Sequence, residues 1–187
     1  AAVNPDLVIQ VVPGVPAQLQ WAGSRIVRQG EKFPLRVRAE DEWGNTCWNQ
    51  GEQGELTATL NGKPVYEKKA TLAAKGWAVL LLDDLPTKDA GELAVSARLP
   101  AHPWVKPRTF YVTVEKNLDV PRIYYCDLHV HSEDTIGTNS TTYNLTYGRD
   151  VGGLDVLAFA HNDFNITTEK WKKTVELIRD ITQDGSF

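Results

Sequence analysis

Between residues 6 and 115, apolar side chains recur at every second position, and that period limits what the chain can fold into. Phe33, Leu35, Val37 and Ala39 share one side of the run 33–40, with Pro34, Arg36, Arg38 and Glu40 on the other. The runs 56–60, 93–99 and 110–114 alternate in the same way, and 7–12, 17–21, 64–72 and 77–82 are further candidates. Successive side chains of a strand face opposite ways, so one apolar and one polar face describes a half-buried strand of an antiparallel sheet. Pro13-Gly14, Asn61-Gly62-Lys63-Pro64, Asp83-Asp84 and Asp89-Ala90-Gly91 fall between the runs as turn signals. Seven or eight short strands at this spacing predict an immunoglobulin-like antiparallel β-sandwich over residues 1–118. Asp41-Glu42-Trp43-Gly44-Asn45 resembles a turn common in bacterial immunoglobulin-like domains.

Residues 116–121 read as a linker, and after them the pattern changes to β-α-β. A strand over 122–131 leads to a helix over about 141–151, capped by Ser140 or Thr141 and stopped by Gly152-Gly153. Tyr143, Tyr147 and Val151 fall on one face of that helix. Leu154 to Ala160 reads as a strand buried on both faces. Thr168 then caps a second helix, with Trp171, Val175, Ile178 and Ile181 or Thr182 on its inner stripe and Asp184-Gly185 at its end.

Asp127, His129 and His131 alternate along the first of these strands, opposite Cys126, Leu128 and Val130, whose side reads as packing surface. Two imidazoles two residues apart on a strand can chelate one ion, and Asp127 can hold a ligating ring in place. The alternative is a pair of surface histidines on an edge strand. His161, Asn162 and Asp163 follow the second strand, so both clusters fall at the carboxyl ends of parallel strands, where reactive groups gather in α/β units. Glu133 and Asp134 are hard oxygen donors next to the histidine pair, or carboxylates that hold the Thr135–Thr138 turn. Asp163 is a ligand, a general base or the cap of a turn. Arg149 forms an ion pair with Asp150 or reaches an anionic substrate.

Asp127-Leu128-His129-Val130-His131-Ser132 resembles the first motif of the PHP (polymerase and histidinol phosphatase) superfamily of metal-dependent hydrolases. The run 127–138, then Arg149-Asp150-Val151-Gly152-Gly153-Leu154-Asp155, Asn162-Asp163-Phe164-Asn165-Ile166-Thr167 and Trp171, is similar to a bacterial branch known as a domain of unknown function. The resemblance covers about 122–187. It implies that 119–187 is the opening β-α-β-α portion of a distorted (β/α) barrel, continued by a missing remainder on the same or another chain. It further implies hydrolysis of an anionic ester, such as a phosphate ester, by metal-activated water. Two or three divalent ions (Zn, Mn or Fe) would be held by His129, His131, Glu133 and either His161 or Asn162, with Asp163 and Glu133 as catalytic groups and Arg149 on the substrate. Asn162 stands where most PHP proteins have a ligating His.

The competing expectation is a non-catalytic carbohydrate- or partner-binding sandwich with 122–187 a remnant. Trp21, Trp43, Trp48, Trp77 and Trp104 could include a sugar-stacking platform, or serve core and turn packing. A net charge of −4 gives no reason to expect nucleic acid. No apolar run reaches the length of a membrane span. Cys47 and Cys126 read as independent thiols. Ala1-Ala2-Val3 suits a site just past signal-peptide cleavage, and so a periplasmic or secreted chain.

Overall fold

A computed structural model describes residues 11–121, 123–182 and 187. Ala1-Ala2-Val3, Arg122, the Asp184-Gly185 helix stop and most of the 7–12 strand lie outside the described residues.

Eight strands precede the linker: β1 (Gln18–Gly23), β2 (Ile26–Arg28), β3 (Leu35–Glu40), β4 (Gln53–Leu60), β5 (Lys63–Thr71), β6 (Val79–Leu82), β7 (Gly91–Arg98) and β8 (Arg108–Glu115). They form a three-stranded sheet, β1-β3-β6, and a five-stranded sheet, β2-β8-β7-β4-β5. All their pairings are antiparallel except β2 with β8. The short strand β2 has no alternation long enough to be seen in the sequence.

The period of two becomes the core. Leu35, Val37 and Ala39 of β3, Leu56 and Ala58 of β4, Leu93, Val95 and Ala97 of β7, and Phe110, Val112 and Val114 of β8 are all buried between the sheets. Every residue of this cluster lies between Leu19 and Val114, so the sandwich core closes without help from beyond the linker. The β4–β5 hairpin turns at Asn61 (φ 48°) and Gly62 (φ 78°), both left-handed as the tightest hairpin turn requires.

Beyond the linker, β9 (Cys126–Val130) pairs in parallel with β10 (Val156–Phe159). The crossover between them is α1 (Thr141–Thr146), which continues as a π-helical turn, Tyr147–Gly152. Ser140 caps α1 by accepting from the Tyr143 N–H at 3.1 Å. Gly153 ends the π-turn at φ 72°. The last helix, α2 (Thr168–Ile181), is capped by Thr167 rather than Thr168.

The expected opening of a (β/α) barrel is corrected. Beyond the linker the described residues hold two strands, β9 and β10, against eight in the sandwich, and these two form a parallel sheet of their own. A (β/α) barrel closes eight parallel strands into one sheet. Two further expectations fail for the same reason. β10 is not buried on both faces: among the described residues it pairs with β9 alone, and Val156 is exposed. The Leu128 side of β9 is not packing surface, for Leu128 is 63% exposed. The inner stripe of α2 holds at Val175, Ile178 and Ile181, which are partly buried beside the buried Thr174, while Trp171 faces outward at 54% exposure. Lys170 Nζ donates to the Asp134 carbonyl at 2.8 Å.

The second segment lies on the outer face of the three-stranded sheet. Arg38 on β3 reaches the Val151 carbonyl at 3.3 Å, and Tyr125 Oη donates to the Gly23 carbonyl at 3.4 Å. Burial lowers the pKa of the neighbouring Arg36 guanidinium, against the opposing pull of Asp150 and Asp155.

The Asp41 turn ties the sandwich together. Asp41 is buried and accepts from the backbone N–H groups of Gly14, Trp43 and Asn45, each at 2.9 Å, and from the Asn45 side chain. These bonds, the one from Gly14 foremost, hold its pKa down to about 2. An unfolded Asp titrates at about 3.9, so the unfolded chain takes up the proton first. This contribution is complete above about pH 4 and is lost as pH falls toward 2. Urea midpoints measured from pH 6 to pH 2 should fall across that window, and Asp41→Asn should flatten the fall. Parallel profiles for the two proteins would contradict this role.

Candidate functional site

Two places on the second segment carry chemistry. The first is the histidine region after β9. His129 is exposed at the end of that strand, and His131 follows just beyond it. Their Nε2 atoms are 3.1 Å apart, with the rings edge to face. Two nitrogens each about 2.05 Å from one shared ion would be this far apart at an angle of roughly 100°. A single shared proton holds two neutral rings at the same distance.

His161 is not part of that pair. Its Nε2 lies 3.1 Å from Ser132 Oγ, a fully buried hydroxyl. Thr141 Oγ1 stands 2.9 Å from Ser132 and 2.7 Å from Asp134 Oδ2, so loop, α1 and β10 meet in one polar knot. Burial pushes the His161 pKa down; Asp134 opposes this, while His131 and Lys170 reinforce it. Asn162 contributes its carbonyl to a turn with Asn165 and Ile166, and its side-chain Oδ1 is buried without a partner. Glu133 and Asp163 are exposed. Asp127 accepts from the His129 backbone N–H at 3.1 Å. Arg149 is engaged by Asp150 through two bonds, at 2.7 and 2.9 Å. Ser132, which ties this region together, carried no role in the sequence reading; its place inside the histidine motif was the available signal.

Among the described residues, no group of three or more His, Cys, Asp or Glu side chains is placed to hold a metal ion. Among the described residues, the imidazole nitrogens brought closest to one another are those of His129 and His131. Cys47 is buried and Cys126 exposed, and both are free thiols. No described helix is long and apolar enough to cross a membrane.

The second place is an aromatic cleft of about 470 Å³ where the two segments meet. Trp48 and Trp77 sit opposite one another across an antiparallel bridge, which puts both indoles on one face. Tyr147 meets Trp77 edge to face at 5.4 Å between ring centroids, and Tyr143 stacks on Tyr147 at 5.6 Å. The Tyr147 hydroxyl lies 3.1 Å from Thr46 Oγ1, which fixes the ring against the sheet. Asn49, Gln50 and Lys75 supply the polar rim. Of the other tryptophans flagged in the sequence, Trp21 is core, while Trp43 and Trp104 are exposed away from the cleft. The tyrosines were legible as one helix face, but nothing in the sequence joined that face to Trp48 and Trp77.

A further hollow of about 490 Å³ runs beneath the linker, lined by Arg28, Arg36, Leu118, Tyr125 and Asp155 among others. Its charges are of both signs, and it forms part of the seam between the segments.

No family model matches the chain, and no curated protein matches it. Solved structures do match over part of the chain. A candidate superoxide reductase from Thermotoga maritima is 13% identical, with 55% of this chain and 89% of that one covered and a TM-score of 0.41. The CARDB domain of a Pyrococcus furiosus protein, in complex with di-metal ions, is 17% identical over 60% and 100% of the two chains, at a TM-score of 0.34. Human titin ZIg10 is 21% identical over 59% and 87%, at a TM-score of 0.27. At these values none of them assigns an activity. The resemblance to the PHP superfamily is corrected: no family model matches the chain. The hydrolase and phosphoesterase readings, which rested on that resemblance, lose their support with it.

Proposed function

We propose that this chain is a non-catalytic binding module, an immunoglobulin-like sandwich that holds a carbohydrate in the aromatic cleft. The observation that carries this reading is the pairing of Trp48 with Trp77 across one bridge, extended by Tyr147 and Tyr143 from the crossover helix. Flat rings suit the apolar face of a sugar ring, while amides and hydroxyls at the rim suit its hydroxyl groups. Pockets of a few hundred Å³ at a domain junction are ordinary ligand sites. The fold supplies the rigidity: Trp77 directly precedes the buried Ala78 and Val79 of the sandwich, so its backbone is held by the core.

Titration with soluble oligosaccharides, followed by tryptophan fluorescence and calorimetry, tests the assignment. Trp48→Ala should weaken saccharide binding by roughly tenfold, as loss of one aromatic contact of about 1.4 kcal/mol would. If no saccharide perturbs the fluorescence, or Trp48→Ala binds as the parent does, the cleft is not a sugar site.

The 3.1 Å between His129 Nε2 and His131 Nε2 favours a second, separate reading. In it the pair chelates one divalent ion, with zinc best suited to two imidazoles and manganese or iron as alternatives. His129→Ala and His131→Ala should each abolish the binding heat for zinc, and His161→Ala should leave it unchanged. Unchanged zinc stoichiometry in the double variant His129→Ala/His131→Ala would refute the chelate and favour the shared proton.

A further inference from the structure

The rim of the aromatic cleft is one-sided in its chemistry. Lys75 and Gly76 form the two-residue turn of a tight hairpin, closed by Ala74 N–H to the Trp77 carbonyl at 3.0 Å and Trp77 N–H to the Ala74 carbonyl at 2.9 Å. Their φ angles are 49° and 90°, the left-handed pair that this turn demands. Gly76 is the residue expected at its position. Lys75 is not, for Asn, Asp or Gly fills the first position at lower cost. An unfavourable residue held in a left-handed conformation at the mouth of a cleft points to a use for its side chain.

That side chain is exposed, and no ion pair or hydrogen bond engages it among the described residues. Nearby, Asn49 Oδ1 already accepts from the Gly51 N–H at 2.8 Å, which leaves the Asn49 amide N–H groups as its unused capacity. Gln50 adds a second amide. The cleft lining contains no carboxylate. The nearby Glu52 is buried, and its Oε2 accepts from the Gln50 backbone N–H at 2.8 Å. The polar rim thus presents one full positive charge and a set of N–H donors beside an aromatic platform.

We infer that the ligand of this cleft is an acidic saccharide, a uronic-acid-bearing oligosaccharide whose carboxylate meets Lys75 while its ring lies on Trp48 and Trp77. The inference rests on the carbohydrate reading above and adds the charge of the ligand. A carboxylate at the rim gains a charge-assisted contact that a neutral sugar lacks, and the gain is modest because the site is open to solvent.

The test compares tetragalacturonate with neutral galactotetraose on the full chain. The parent should bind the acidic tetramer roughly three- to tenfold more tightly at low salt, a preference that shrinks at high ionic strength. The informative variant is Lys75→Asn. Asn is favoured at this turn position, so the melting temperature should hold or rise while the charge is removed. Binding of the acidic tetramer should fall to the level of the neutral one, and the salt dependence of the preference should vanish with it. Equal binding of both tetramers by the parent, or a preference that survives Lys75→Asn, overturns this inference and leaves the carbohydrate site standing. Failure of both tetramers to bind overturns the carbohydrate site and this inference together.

Discussion

Everything functional in this protein depends on how the outer face of one small sheet is covered. The inner face of β1-β3-β6 belongs to the sandwich core, so the alternation of β3 leaves Arg36 and Arg38 pointing away from it. A solvated arginine face would be unremarkable. Here the Arg38 guanidinium bonds Glu40 at 2.7 Å and the carbonyl of Val151 at the end of the π-helical turn. Arg36 lies half-buried near Asp150 and Asp155. Long arginine stems cover apolar surface while their heads satisfy carbonyls and carboxylates. This seating brings Tyr143 and Tyr147 to Trp77, and the cleft exists only because both segments contribute to it.

The sandwich was legible because its information is local and redundant. Each strand carries its own alternation, and Asn61-Gly62 marks its hairpin by the one conformation those residues favour. The β-α-β order after the linker could be read for the same reason, down to the Ser140 cap and the glycine stop. The seam could not be read. Arg36 and Arg38 carry the pattern of a water-facing edge, and whether water or protein covers them is decided by a segment more than a hundred residues away. Within α2 the place of Trp171 was misread for a related reason. Trp171 fits a helical period as well as Thr174 does, and the period alone does not choose between them.

The histidine region shows how a motif can be compact in sequence and divided in space. His129 and His131 converge as the strand spacing requires, but His161 turns into the Ser132–Thr141–Asp134 knot, and Glu133 and Asp163 point to solvent. Strand order alone placed these residues on one rim. It could not say that a buried serine would take up one imidazole. The resemblance to a hydrolase family drew its strength from this run of residues, whereas the sandwich and its aromatic cleft lie largely outside it.

The central claim is that residues 123–182 are seated on the three-stranded sheet in solution, with Tyr147 against Trp77. Isotope-edited nuclear Overhauser spectroscopy on the full chain measures this directly. Ring centroids 5.4 Å apart and nearly perpendicular should give cross-peaks between the Trp77 indole and Tyr147 ring protons. The Trp77 ring protons should also touch Tyr143, whose centroid lies at 6.4 Å. A spectrum with the sandwich core contacts intact but no cross-peak from Trp77 to either tyrosine would contradict the account, and with it the cleft.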